Sequence, residues 1–306
     1  MANMITPAML QTFERAFHVA AQQKQTLLSG SGVVKYLTPE GKTNNYATLS
    51  PFELEEATGQ NPNKIYGDYT TSNRQMSKRR FTKTIYIDDK DDVNELITDP
   101  TSYLVQGLVF AKNRVIDRII AAAATDDVLI GAPNTAPTKT TAANDGVKTV
   151  DASAGLDYAD IQEITQNFIN NDLTIDEIRG SVLAISGQEN TALMGEEKFI
   201  NNDYMNGSSV NAGIINNAGI YKTALFAGSV QGGATVAKPV LAEEGESHTR
   251  SCLVLAPQSI LVSMKLNDLR VEPSYSKVGS KEVTIDLWIN AMRAEGKRVQ
   301  ILKTTY

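Results

Sequence analysis

DPTSYLVQGLVFAKNRVIDRIIAAAA, residues 99–124, is the stretch on which the fold turns. Asp99 is a good helix cap and Pro100 suits the first helical position. Leu104, Leu108, Ala111, Val115, Ile119 and Ala122 recur at steps of three and four, and Val105, Val109, Ile116 and Ile120 widen that stripe. The spacing predicts one helix over 99–124, a rod about 40 Å long. Lys112, Asn113, Arg114, Asp117 and Arg118 fall on the opposite face, and these charges exclude a membrane span.

Just upstream lies YIDDKDDV, residues 86–93, with carboxylates at Asp88, Asp89, Asp91 and Asp92. An EF-hand loop counted from Asp89 puts Val93 and Pro100 at ligand positions and Asn94 where glycine is needed, so that pattern fails. The plain reading is a solvated charged turn between a strand and the helix. The sharper reading pairs some of these carboxylates with the basic run Lys78, Arg79 and Arg80 of another subunit.

Further upstream, residues 29–84 alternate polar and β-prone residues with little apolar mass. TPEGKTNN (38–45) reads as a hairpin tip. A stretch of this length without its own core suits an extended two-stranded arm lying on something else. Residues 7–28 read as a helix with Met9, Phe13, Phe17, Ala20, Lys24 and Leu27 at helical steps, needing a partner to bury its single stripe.

Downstream, residues 125–156 are rich in Ala, Thr, Asn and Gly and read as a loop or hairpin. A second helix is predicted over 158–170, capped by Asp157, with Ile161, Ile164 and Phe168 on one face. SVLAIS (181–186) reads as a buried strand, a short helix follows near 188–195, and KTALFAGSV reads as a strand. GGATVAKPVLAEEGESHTR reads as a loop or hairpin. SCLVLAP, SILVSMK, KEVTIDLWINAMR and KRVQILKT read as four closing strands, with Trp288 expected in the core beside Leu287 or Ile289. The class is α+β.

Composition bounds the function. The chain has 306 residues, 42% hydrophobic and 21% charged, which is globular and large enough for a substantial core. The net charge of −6 gives no general basic surface to neutralise phosphates. The single cysteine, Cys252, sits in CLVLA and reads as a small buried hydrophobe. The chain start has no basic-then-apolar signal, and no long uncharged apolar run spans a membrane. The two histidines, His18 and His248, have no nucleophile elbow nearby, and there is no metal-protease, Cys-x-x-Cys or phosphate-loop motif. No catalytic, cofactor or metal site is expected.

The order of pieces resembles the major capsid proteins of tailed bacteriophages, with the Hong Kong ninety-seven-type capsid fold. The resemblance covers roughly residues 78–306. Its first block holds the basic pair Arg79 and Arg80, the cluster Ile87, Asp88 and Asp89 with Asp91 or Asp92, then Asp99–Pro100 and a helix with Arg114, Asp117, Ile120 and Ala121. The second comprises LDYADIQEITQNFINNDL, SVLAISGQENTALMGEEKFINNDYM and GIINNAGIYKTALFAGSV. The third is DLWINAMRAEGKRVQIL, where Asn290 stands at a position that is glycine in many members.

The resemblance implies an N-terminal arm (1–35), an extended β-hairpin loop (36–84), a peripheral domain (85–155 and 269–295) with the spine helix 99–124, and an axial domain (156–268 and 296–306). It implies self-assembly as pentamers and hexamers into an icosahedral shell around double-stranded DNA, not held sequence-specifically. That shell would be the phage head of a virion assembled in the host bacterial cytoplasm. A separate scaffolding protein, a portal and decoration proteins are expected partners. Candidate intersubunit contacts are Lys78, Arg79, Arg80, Asp88, Asp89, Asp91, Asp92, Arg114, Asp117 and Arg118; for the helix residues the plain alternative is solvated pairs along one face. Some relatives cross-link lysine to asparagine, and the arm offers Lys35, Lys42 and Lys64. The alternatives are an encapsulin-like bacterial compartment, a tail-tube subunit, or a metal-dependent hydrolase built on the aspartates.

Overall fold

The computed structural model describes residues 25–30, 32–38, 41–49, 54, 56, 71–87, 100–132, 135–185, 189, 192, 222–225, 229–231, 235–237, 249–273 and 281–305. The N-terminal helix expected before residue 25, the aspartates at 88, 89, 91 and 92, the cap Asp99, both histidines, and the helix expected near 188–195 apart from Glu189 and Ala192 lie outside them.

In chain order the strands and helices are β1 (Val34–Leu37), β2 (Thr43–Leu49), β3 (Thr71–Ser77), β4 (Arg79–Ile87), α1 (Pro100–Thr125), β5 (Val128–Gly131), β6 (Thr138–Thr140), β7 (Lys148–Ala152), α2 (Tyr158–Asn170), α3 (Ile175–Arg179), β8 (Val182–Ile185), β9 (Lys222–Leu225), β10 (Ser229–Gln231), β11 (Thr235–Ala237), β12 (Thr249–Leu255), β13 (Ile260–Pro273), β14 (Lys281–Arg293) and, after a 3-10 turn at Gly296–Arg298, β15 (Val299–Thr305). The sheets run β1-β13-β14-β4, β2-β3-β5-β6, β7-β15-β12-β8-β9 and the pair β10-β11.

The chain groups into two compact units. One comprises Met1–Gln25, Arg80–Arg114 and Leu266–Leu287, the other Thr26–Arg79, Val115–Lys265 and Trp288–Tyr306. In the first, Leu108 on α1 is buried with Val283 and Ile285 of β14, and Val105, Ile85 and Leu269 pack against them. The α1 stripe meets the alternating apolar face of β14, a helix-period pattern against a strand-period one.

In the second, α2 covers the five-stranded sheet. Ile161, Ile164 and Phe168 are buried with Val150, Leu183, Ile185, Cys252, Val254 and Leu302. The spacing of the three α2 residues is what places them on one face. Asp157 caps the helix as predicted: it accepts from the Asp160 amide at 3.0 Å, and the Asp160 carboxylate accepts from the Asp157 amide at 3.0 Å. Such a box satisfies two amides that the helix start would otherwise leave orphaned. Cys252 is buried, in keeping with its apolar setting.

Several expectations are corrected. Gln25–Leu28 is not helical; the Leu27 and Leu28 amides turn instead to the carboxylate of Asp117. TPEGKTNN is not a hairpin tip, because β1 pairs in parallel with β13 while β2 pairs with β3. The segment 125–156, expected as a loop or hairpin, holds the β5–β6 hairpin and in addition β7, which pairs in parallel with β15. KTALFAGSV divides into β9 and β10, and β10 forms a hairpin with β11. Trp288 is half-buried between the buried Leu287 and Ile289, because strand alternation turns it to the other face. The arm is not coreless at its base: Met76 is buried with Val128, Leu261, Met292 and Ala294, and Tyr46 packs against them.

Candidate functional site

β2 and β3 pair antiparallel from Thr43↔Ser77 to Leu49↔Thr71. β3 then pairs with β5 through Asn73↔Gly131 and Gln75↔Leu129. Alternation along β3 turns Arg74 and Met76 inward, both buried. An arginine on the buried face needs an anion and directed acceptors, and Asp145 supplies both. Arg74 Nη1 and Nη2 donate to Asp145 Oδ2 and Oδ1 at 2.9 and 2.6 Å, a two-pronged match of planar groups. Arg293 Nε donates to the same Oδ2 at 3.1 Å. Side-chain exposure is 8% for Arg74, 3% for Asp145 and 0% for Arg293.

Two guanidiniums on one carboxylate leave an excess positive charge, and the end of α1 meets it. That helix carries no basic residue in its last turn. Arg293, arriving from β14, donates from Nη1 to the carbonyls of Ala123 and Ala124 at 3.1 and 3.2 Å and to that of Asp126. The Ala123 and Ala124 carbonyls are orphaned acceptors at the negative dipole end of the helix, and that of Asp126 lies just beyond it. Burial pushes the Arg293 guanidinium below its ordinary range, opposed by Asp145; an arginine stays charged all the same. Arg74 Nη1 also reaches the Arg293 carbonyl at 3.4 Å. Gly296 makes room for this arrangement: a Cβ there would stand 2.1 Å from the Asp145 carbonyl oxygen, so only glycine fits. β3, the end of α1 and the end of β14 are thereby fastened at one carboxylate.

The predicted contact residues are placed as follows. Lys78 is buried and donates from Nζ to the Gly41 carbonyl at 2.8 Å. Arg79 is exposed, with Nη2 at 3.5 Å from Asn290 Oδ1. Asn290 donates from Nδ2 to the Ser77 carbonyl at 2.6 Å. Arg80 is exposed and grips Asp286 of its own chain, Nε to Oδ1 at 2.9 Å and Nη2 to Oδ2 at 3.0 Å. The hydrogen bonds it donates to Asp286 raise its pKa further. Arg114 is half-buried and Arg118 exposed. Asp117 departs from the charged face expected of it, being 1% exposed. It accepts the Leu27 and Leu28 amides at 2.8 and 3.2 Å.

Sequence reading missed the Arg74–Asp145–Arg293 network. One signal was available: Arg293 interrupts the inward alternation of WINAMRA, and a charge there must find a partner. Nothing local identified that partner as Asp145, in the turn ANDG. Among the described residues, no group of three or more His, Cys, Asp or Glu side chains could hold a metal.

Leu49 is 54% and Leu54 100% exposed.

The sequence profile of a family described as phage capsid protein matches residues 5–305. No curated protein matches by sequence. The fold is similar to the capsid structure of the Cyanophage P-SCSP1u, with 12% identity and a TM-score of 0.63 over 96% of this chain and 92% of that one. It is similar to the head structure of Helicobacter pylori bacteriophage KHP40, with 9% identity and a TM-score of 0.63 over 95% and 93%. The Cyanophage Pam1 capsid matches at 13% identity and a TM-score of 0.63 over 100% and 99%. At such identities the likeness establishes the shared fold.

Proposed function

The chain belongs to the phage capsid protein family and is a major capsid protein, a structural protein of the phage head, and from that premise we propose that it assembles through its extended loop. Its pentamers and hexamers close into an icosahedral shell around double-stranded DNA. One observation carries this reading: Leu49 and Leu54 stand uncovered on a loop whose root is fastened by buried ion pairs. Uncovered apolar side chains on a well-anchored projection suit contact with another copy. Symmetry then repeats each modest contact until the shell is stable.

The division proposed for the folded chain is an arm (1–35), a loop (36–84), a peripheral domain (85–155 and 269–295) and an axial domain (156–268 and 296–306). Arg79, Arg114 and Arg118 are the proposed cationic contacts between copies, with Asp88, Asp89, Asp91 and Asp92 as acidic counterparts. Lys78 bonds to the Gly41 carbonyl, Arg80 to Asp286 and Asp117 to the Leu27 amide, contacts that serve the subunit's own form. A scaffolding protein guides closure, a portal occupies one vertex, and decoration proteins bind outside. The net charge of −6 favours DNA that slides over the inner wall rather than sticking.

Electron microscopy of the purified protein, expressed with and without its neighbouring genes, tests the reading. Closed shells or rings of five and six copies are expected. Monodisperse single subunits under all conditions would sink it. Asp89→Ala with Asp92→Ala tests the acidic contacts: shells that resist salt and heat like the wild type would remove those residues from the interface.

A further inference from the structure

Asp117 lies in the middle of α1, where a helix needs no carboxylate for its own sake. Its neighbours Ile116, Ile119 and Ile120 are buried and apolar. Its oxygens accept two successive backbone amides from a segment 89 and 90 residues away: Leu27 to Oδ2 at 2.8 Å and Leu28 to Oδ1 at 3.2 Å. Charged acceptors make the stronger class of hydrogen bond, and two on consecutive amides fix a peptide's position as well as its proximity.

The chain just beyond is held too. Leu28 and Val33 are 0% exposed. The Gln258 amide donates to the Gly32 carbonyl at 3.2 Å and the Ile260 amide to the Val33 carbonyl at 3.1 Å, and β1 follows along β13. Asp117 thus holds the described chain at Leu27 and Leu28, three and four residues after Lys24.

We infer that Asp117 is a positioning residue that anchors the root of the N-terminal segment, residues 1–24, and so sets how far that segment reaches toward a second copy of this chain. The second half rests on the shell reading; the first does not. The sequence pattern alone made Asp117 a candidate contact between copies, whereas the anchor acts inside one subunit on the start of a segment.

Hydrogen exchange on unassembled wild-type subunits comes first. The Leu27 and Leu28 amides should exchange at least about 100-fold more slowly than unprotected amides. Exchange at the unprotected rate would overturn the anchor without any variant. In Asp117→Leu, exchange at these two amides should rise about tenfold or more while amides of β12 and β15 stay unchanged. Trypsin cleavage after Lys24, whose substrate site must include Leu27, should accelerate about tenfold. Equal loosening of β12 and β15 would mean a general structural role and overturn the inference. Asp117→Asn keeps one acceptor oxygen and should fall between the two, which preserves the test if the leucine variant does not fold.

The assembly arm separates the two readings. A variant with an intact body but a reduced yield of closed particles supports the link to a second copy. An unchanged yield overturns that link. A wild type that forms no shells counts against the shell reading while leaving the exchange result in force.

Discussion

Under α2, Ile161, Ile164 and Phe168 meet Val150, Leu183, Val254 and Leu302, all of them apolar. At the loop base, Met76 and Val128 share the interior with Arg74, Asp145 and Arg293. The first region is held by burial of apolar area at roughly 25 cal/mol per Å², which has no direction and tolerates exchange of one hydrophobe for another. The second is held by hydrogen bonds between charges, which tolerate neither rotation nor loss of a partner. A core only has to stay closed. The proposed loop also has to point somewhere, and directed contacts at the root of β2 and β3 are suited to that.

The largest effect should come from breaking the network at its shared carboxylate. Asp145→Ala leaves two buried guanidiniums without their anion and should destabilise the protein by about 3–5 kcal/mol, read by urea denaturation. In the α2 core, Ile164→Val removes one methyl group and should cost about 1 kcal/mol. If Asp145→Ala cost no more than Ile164→Val, water would be entering the network and the contrast would collapse. Exchange at β2 and β3 amides sharpens it: Asp145→Ala should raise exchange there, and Ile164→Val should leave those strands untouched.

The next effect is local. Asp157→Ala removes the cap that α2 relies on and should cost about 1 kcal/mol, seen as a lower denaturation midpoint with an unchanged slope. A changed slope would mean that the cap holds more than its own helix.

These two regions were also unequally legible in the sequence. Ile161, Ile164 and Phe168 announce their face by spacing, and Asp157 announces its cap by position, so α2 and its buried side could be read directly. The α1 stripe was legible for the same reason. Asp145 could not be read, since its partners lie 71 and 148 residues away and no local period marks such a pairing. Asp117 misled, because a charge among helical neighbours reads as solvent-facing unless the amides it serves are known. TPEGKTNN misled in the opposite way: turn chemistry says that the chain bends, not which strand it will pair with next. The resemblance to tailed-phage capsid proteins rested on the order of whole blocks, which is why the family could be recognised while the interlock could not.

The smallest predicted effect lies at the edge of the α2–α3 region, where an ion pair is only partly shielded. Glu177 Oε2 accepts from the Thr174 amide at 3.0 Å, and Oε1 accepts from Arg298 Nη1 at 2.8 Å. The Thr174 amide, with Arg298 adding to it, holds the Glu177 carboxyl below its usual range against the opposing effect of burial. A depressed folded pKa means that the unfolded chain binds this proton more tightly. The stabilisation is therefore complete above the unfolded value, about 4.3, and is lost as the pH falls through the folded one. With the Glu177 side chain 32% exposed, solvent screening keeps the pair below about 1 kcal/mol. Glu177→Gln should thus lower stability slightly at pH 7, and its gap to the wild type should close below about pH 4. The same variant at Asp145, Asp145→Asn, should show a far larger gap at pH 7, because its carboxylate is buried between two arginines. Equal gaps for the two variants would mean that burial adds nothing to the directed contacts, and the difference between loop base and helix edge would then be one of geometry alone.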